Sequence, residues 1–266
     1  MIPVYVINLG RAHDRRAWME SELARVGLAA TFIPAIDGLK LGPKCRAWLA
    51  NCRGPYRLSP GEAALIFSHR KVWRAFLAGG ARHALVLEDD VHLGRDFAPL
   101  LAVDWSQWPF DVVKLETVTN CRTWISRRHW PLPGRRLHRL GSEHYGAAAY
   151  IVSVAGARKL LQRTRTEFEP VDHTIFGVET LASGAVDALQ VVPAAAIQDW
   201  FRATSAQDVK LPSSLMPTRG VRTAALRRGA TPLLQRLARE ARRIVNQVYE
   251  VAWRRLRWRR IDVPFE

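Results

Sequence analysis

The sequence has few cysteines, few acidic residues relative to basic ones, and no long apolar run. Only Cys45, Cys52 and Cys121 occur among 266 residues. An odd, sparse set of thiols argues against a disulfide framework and fits a reducing compartment. Cys45 and Cys52 also lack the spacing of a metal finger. The longest apolar stretches fall short of the 18 residues that a membrane-spanning helix needs. The opening run Ile2–Leu9 has no basic region before it and is too short for a signal peptide. Neither an internal repeat nor an RNA-binding signature appears, so a nucleic-acid-binding function would rest on charge alone. Together these absences predict a cytoplasmic protein.

The shortage of acid is uneven. The chain has 40 Lys and Arg against 24 Asp and Glu, a net charge of +16. Residues 219–266 hold 13 Arg and four acidic residues, so that fifth of the chain carries +9 of the total. Such asymmetry points to an appended surface for a phosphate-rich partner, membrane or nucleic acid. From about Thr231 a basic amphipathic helix is expected, with Leu234, Leu237, Ala241, Val245, Val248 and Ala252 on one stripe and Trp253 and Trp258 as interfacial anchors. Its alternative is a helix packed on the rest of the protein or on a second copy.

The remainder alternates strand and helix patterns. Apolar runs at 3–9, 84–88, 111–115, 147–153 and 188–192 read as strands, with a weaker one at 31–36. Helical spacing covers 11–26, 60–77 and 155–163, and another helix starts at Asp172 or His173. Ser59-Pro60-Gly61-Glu62 is a helix start: Ser59 caps, Pro60 suits the first helical position and Glu62 completes a capping box. Residues 38–58 read as a loop with a short helix near 45–50, and 121–140 as a polar, Arg-rich loop. The predicted architecture is α/β, a single domain over 1–202 with a mostly parallel sheet, then a linker at 203–220 and a basic helical tail at 221–266.

Chemistry concentrates at Glu88-Asp89-Asp90, three carboxylates at the C-terminal end of an apolar strand, where open α/β sheets bind ligands. Adjacent carboxylates repel, and burial makes them costly without a compensating cation. Oxygen-rich sites suit Mg²⁺ or Mn²⁺ held by one or two carboxylates and substrate phosphates. On pattern alone a solvated acidic turn is an equal alternative.

Several segments occur in an order that resembles glycosyltransferase family 25, the enzymes of bacterial lipopolysaccharide and lipooligosaccharide synthesis. They are Val6-Ile7-Asn8-Leu9 with Arg11 and Arg15; Gly61-Glu62 with Ser68-His69 and Trp73; Leu85 to Val91 around the acidic triplet; Gly146 to Leu161; and Pro170-Val171-Asp172. The resemblance implies a GT-A-like fold, a UDP-sugar donor (galactose or glucose), inversion at the anomeric carbon, and a lipid-linked saccharide acceptor at the inner face of the membrane. It implies Asp90 as principal ligand of a Mn²⁺ or Mg²⁺ ion, with Glu88 assisting, and Glu88 and Asp89 against the donor. Asn8, Arg11, Arg15, Ser68 and His69 fall at the implied donor site, and Lys114 is expected near the phosphates. Asp172 is the implied general base, with a helix N-cap as its alternative role and Glu143 and Glu179 in reserve. The basic tail lies outside the resemblance. A metal-dependent phosphoesterase remains an alternative, with Asp172 and His173 as its further ligands.

Overall fold

The computed structural model describes residues 2–51, 58–166, 169–202, 209, 211 and 255–266. In chain order the elements are β1 (Val4–Asn8), α1 (His13–Arg25), β2 (Thr31–Pro34), α2 (Pro43–Asn51), α3 (Pro60–Ala78), β3 (His83–Glu88), β4 (Val91–Leu93), α4 (Ala98–Leu101), β5 (Val112–Lys114), β6 (Glu116–Thr117), β7 (Arg122–Leu132), β8 (Arg135–Leu140), β9 (Ala149–Ser153), α5 (Val154–Thr166), α6 (Val171–Phe176), α7 (Val178–Ala182), β10 (Ala188–Val192), β11 (Ala196–Gln198), α8 (Asp199–Arg202), α9 (Arg255–Arg257) and β12 (Trp258–Asp262). A nine-stranded sheet runs β12-β7-β8-β10-β5-β9-β3-β1-β2, and a small sheet runs β4-β11-β6.

Alternation within β1 shows how the layers form. Val4 and Val6 face a core with Met19 and Leu23 of α1, whereas Tyr5 and Ile7 face Val72 and Phe76 of α3. Successive side chains of a strand point to opposite faces, so one buried strand seeds both layers. Helix α3 starts as its sequence requires: Glu62 N–H donates to Ser59 Oγ, and Ser59 N–H donates back to Glu62 Oε2. It stops at Gly79. Trp73 and Phe76 on its inner face are fully buried, and truncating such an aromatic costs about 3–5 kcal/mol. Near its start the chain passes so close that a Cβ on Gly38 would lie 2.8 Å from Gly61 backbone atoms. Glycine at that crossing keeps the segment after β2 against the helix.

Three expectations are corrected. The sheet is mixed: β2, β1 and β3 run parallel, as do β5 and β10, but the other five pairings are antiparallel. The Arg-rich 121–140 stretch is the hairpin β7–β8, turning at Gly134 with φ of 66°. Most of its exposed positions are arginines, and a bulge between Ile125 and His129 breaks the alternation that would have marked it. Finally, Trp258–Asp262 is a strand on the edge of the nine-stranded sheet, not part of a helical tail. Trp258 packs over Gly141, where a Cβ would come within 2.4 Å of its ring, which removes it from the set of interfacial anchors. The expected helix from Thr231 and most of the expected linker lie outside the described residues. No helix among the described residues is long and apolar enough to cross a membrane.

Candidate active site

Because β1 and β3 are parallel neighbours, with Ile7 opposite Glu88, their C-terminal ends deliver Asn8 and the triplet to the same sheet edge. A cleft of about 460 Å³ opens there. Ile7, Leu9, Ile36, Leu39 and Leu65 give it an apolar wall, and Arg11, Arg15, Asp37 and Glu88–Asp90 give it charge.

The triplet divides by environment. Asp89 and Asp90 are almost fully buried, 4% and 5% exposed. Asn8 Nδ2 donates to Asp89 Oδ2 at 2.7 Å, and Gln198 Nε2 donates to Asp90 Oδ1 at 3.2 Å. A single terminal nitrogen of Arg15 lies 2.5 Å from Asp89 Oδ1 and 2.7 Å from Asp90 Oδ2. Burial pushes the Asp89 carboxyl above its ordinary range, with Arg15 opposing. Arg11 pairs at 3.0 Å with Asp37, whose carboxyl it holds below its usual range.

Glu88 lines the cleft and backs onto a buried chain of donors. Trp73 Nε1–H donates to Tyr150 Oη at 2.8 Å, and Tyr150 Oη lies 2.9 Å from His69 Nδ1. Burial drives the His69 pKa down to about 3, so the ring is neutral. With Tyr150 O–H donating to Nδ1, the ring proton sits on Nε2 and faces Glu88 Oε1 at 3.5 Å.

Two expected donor contacts lie behind the cleft. His69 is fully buried and reaches the site only through Glu88. Lys114 is also fully buried, with Nζ 2.9 Å from Glu116 Oε1 and against the Gly146 carbonyl, 4.5 Å from the Phe176 ring centre. Its strand points it inward, where only a buried carboxylate can hold its charge. Burial pushes Lys114 down and Glu116 up. Gly146, at φ of 86°, leaves room for the Glu116 carboxylate: a Cβ there would lie 2.9 Å from Oε2. Ser68 does line the cleft, but its hydroxyl is engaged structurally, donating to Ala64 O and accepting from Ile36 N–H.

Asp172 stands apart from the cleft. It lines a separate shallow depression with Glu143, His144, Tyr145, His173 and Phe176. Pro170 occupies the N-cap of α6, so Asp172 sits inside the first turn and accepts from His173 N–H. Its charge is felt at both Lys114 and His69. Glu179 is exposed on α7.

Sequence reasoning missed Gln198 and Asp199. Asp199 N–H donates to the Asp90 carbonyl, and its carboxylate takes His92 Nε2–H and Leu211 N–H, each at 2.7 Å. Arg202 donates to His92 Nδ1, which fixes that tautomer. The signal was present: Pro193 to Ile197 is a small apolar run followed by Gln198-Asp199, the same strand-then-polar pattern as the triplet. Glu116 was missed because one acid after Val-Val-Lys-Leu carries no local mark of burial.

The model of glycosyltransferase family 25, described as an LPS biosynthesis protein family, matches residues 1–175. The chain belongs to glycosyltransferase family 25. It is 26% identical over 257 residues to the lipooligosaccharide biosynthesis protein lic2B of Haemophilus influenzae, covering 92% of this chain and 94% of that protein. It is 33% identical over 185 residues to the lacto-N-neotetraose biosynthesis glycosyltransferase LgtB of Neisseria gonorrhoeae, covering 65% and 66%. Among solved structures, a glycosyltransferase involved in glycosylation of the PBCV-1 major capsid aligns with a TM-score of 0.43 at 9% identity, over 79% of this chain and 97% of that one.

Proposed function

We propose that this protein transfers a hexose, galactose or glucose, from a UDP-sugar to a saccharide acceptor of the lipooligosaccharide type, with inversion and with divalent-ion assistance. The observation that carries this reading is the meeting of two arginines and three carboxylates at the ends of two parallel strands, on a cleft with an apolar wall. A nucleoside diphosphate needs such a pairing: an apolar face for the base and cationic donors for the phosphates. Family membership and the relatives' names in lipooligosaccharide and lacto-N-neotetraose synthesis support the acceptor class.

The donor set fits a hard cation. Asp89 and Asp90 offer paired carboxylate oxygens, and a cationic nitrogen of Arg15 already lies between them. Asp90, with Glu88, would hold Mn²⁺ or Mg²⁺, which as a Lewis acid would stabilise charge on the leaving diphosphate. The protein does the rest. Arg11 and Arg15 bind phosphate, Asn8 and Gln198 fix the rotamers of Asp89 and Asp90, and Glu88 faces the donor sugar from the cleft wall. Asp172 is the proposed base for the acceptor hydroxyl, with the acceptor approaching from the depression it shares with Glu143 and Tyr145.

A phosphoesterase would need further Asp or His ligands beside the triplet, whereas the partners of Asp89 and Asp90 are Arg15, Asn8 and Gln198. The proposal that basic residues hold the enzyme at an anionic membrane surface rests on the charge of residues 219–266. Salt-sensitive co-sedimentation with anionic vesicles is its test. For the catalytic reading, the test is a thermal shift with UDP and Mn²⁺ followed by a UDP-sugar panel scored for transfer or hydrolysis. Stabilisation with turnover of one donor is expected. A flat response to every donor would overturn the reading.

A further inference from the structure

Arg15 makes an unusual contact. An arginine at rest on a carboxylate usually presents two nitrogens in parallel to two oxygens. Here one terminal nitrogen serves two carboxylates, and Nε is buried without a hydrogen-bond partner. Buried guanidinium donors are ordinarily satisfied. The side chain is 13% exposed and lines the cleft, so its head group borders the space a ligand would fill.

The four oxygens of Asp89 and Asp90 are divided in a telling way. One on each residue takes a neutral amide, from Asn8 or Gln198. The other on each takes Arg15. The oxygen of Asp90, the proposed principal ion ligand, that no amide holds is therefore the one the guanidinium holds, and the same nitrogen also holds Asp89. An ion arriving alone must displace a mostly buried cation and leave it beside a doubly charged neighbour. An ion arriving with a diphosphate meets no such obstacle, because the phosphate offers Arg15 a new partner in the same cleft.

From this we infer that Arg15 is the enzyme's resident counter-cation. It neutralises Asp89 and Asp90 in the empty site and passes to the donor diphosphate when the divalent ion takes its place. Ion and nucleotide then bind as a coupled pair, and the ion alone is refused. This rests on the donor and metal reading above and adds to it the order in which the site can fill. Arg15 sits in the first turn of α1, so a side-chain rotation suffices and no strand has to move.

The test is calorimetric and needs no turnover. Mn²⁺ alone, UDP alone and each in the presence of the other are titrated into the full-length wild type, Arg15→Gln and Arg15→Lys. In the wild type, UDP is expected to raise Mn²⁺ affinity on the order of tenfold or more. In Arg15→Gln, Mn²⁺ alone is expected to bind on the order of tenfold tighter than in the wild type, UDP more weakly, and the coupling to collapse. Arg15→Lys keeps the charge and is expected to refuse Mn²⁺ alone as the wild type does while losing UDP affinity. It decides the matter if the glutamine variant does not fold. Unchanged Mn²⁺ affinity in Arg15→Gln, or tighter Mn²⁺ binding in Arg15→Lys, overturns the inference while wild-type UDP and Mn²⁺ binding leaves the broader reading standing. A wild type that binds neither ligand overturns both.

Discussion

The protein holds two clusters of opposite charge, and they differ in what encloses them. Lys114 and Glu116 are fully buried on all sides by strands, Gly146 and Phe176. Arg15, Asp89 and Asp90 are nearly as buried but border a cleft. The chemistry is the same in kind, an ammonium or guanidinium against carboxylate. An enclosed pair can only contribute to the fold, because neither member can exchange its partner. A pair at a cleft can exchange partners with a ligand. Enclosure, more than residue type, separates the structural charge from the functional one.

The comparison can be broken most directly at Asp90. Asp90→Ala is expected to lower kcat/KM by on the order of 10³-fold or more while leaving the fold intact, since it removes the proposed ion ligand. Steady-state kinetics beside a circular-dichroism melt check both halves, and a variant with near-normal kinetics would show that the cleft cluster is as structural as the buried one.

The opposite behaviour is expected of the enclosed pair. Lys114→Met leaves a buried carboxylate without its partner and should cost about 3–5 kcal/mol in urea denaturation. Lys114→Met with Glu116→Leu should recover much of that loss. A double variant no more stable than the single one would mean the pair matters for more than charge balance.

Acid sharpens the comparison next. Burial lowers the pKa of His69 and His144 to about 3 and of His138 to about 4, from 6.5. The unfolded chain takes up these protons near pH 6.5, and the folded chain takes them up only well below that. Stability is therefore full above about pH 6.5 and falls as pH drops toward 3–4. Between pH 7 and pH 5 the enclosed His69 and His144 should each remove about 2 kcal/mol. Denaturation midpoints across that range, in the wild type and in His144→Gln, would show the slope and its reduction.

The smallest effect is expected at Arg11, paired with Asp37 but 53% exposed. Arg11→Ala should leave the melting temperature nearly unchanged, as for other exposed ion pairs, and raise KM for the donor with little change in kcat. A large melting change would place Arg11 with the structural charges.

Much of this arrangement was legible before the fold was known. Strand ends and caps follow from local chemistry: the run before Glu88 and the Ser59–Glu62 box are each readable within a few residues. Asn8, Arg15 and the triplet lie together because β1 and β3 are parallel neighbours, the default for strands joined by helices. What was not legible depends on distant pairing. The edge strand β12 forms by meeting β7 across more than a hundred residues, and the hairpin β7–β8 hides behind a bulge and exposed arginines that look like loop from within. Lys114 and His69 were placed in the cleft because a charged or titratable side chain near a motif reads as a ligand. Only the packing around them shows that each faces a buried partner.

Asp199 acts as a clasp between two described parts of the chain. Its carboxylate holds Leu211 N–H, and its own N–H holds the Asp90 carbonyl. A shift of the backbone at Leu211 would therefore reach the backbone of the proposed ion ligand through a single residue.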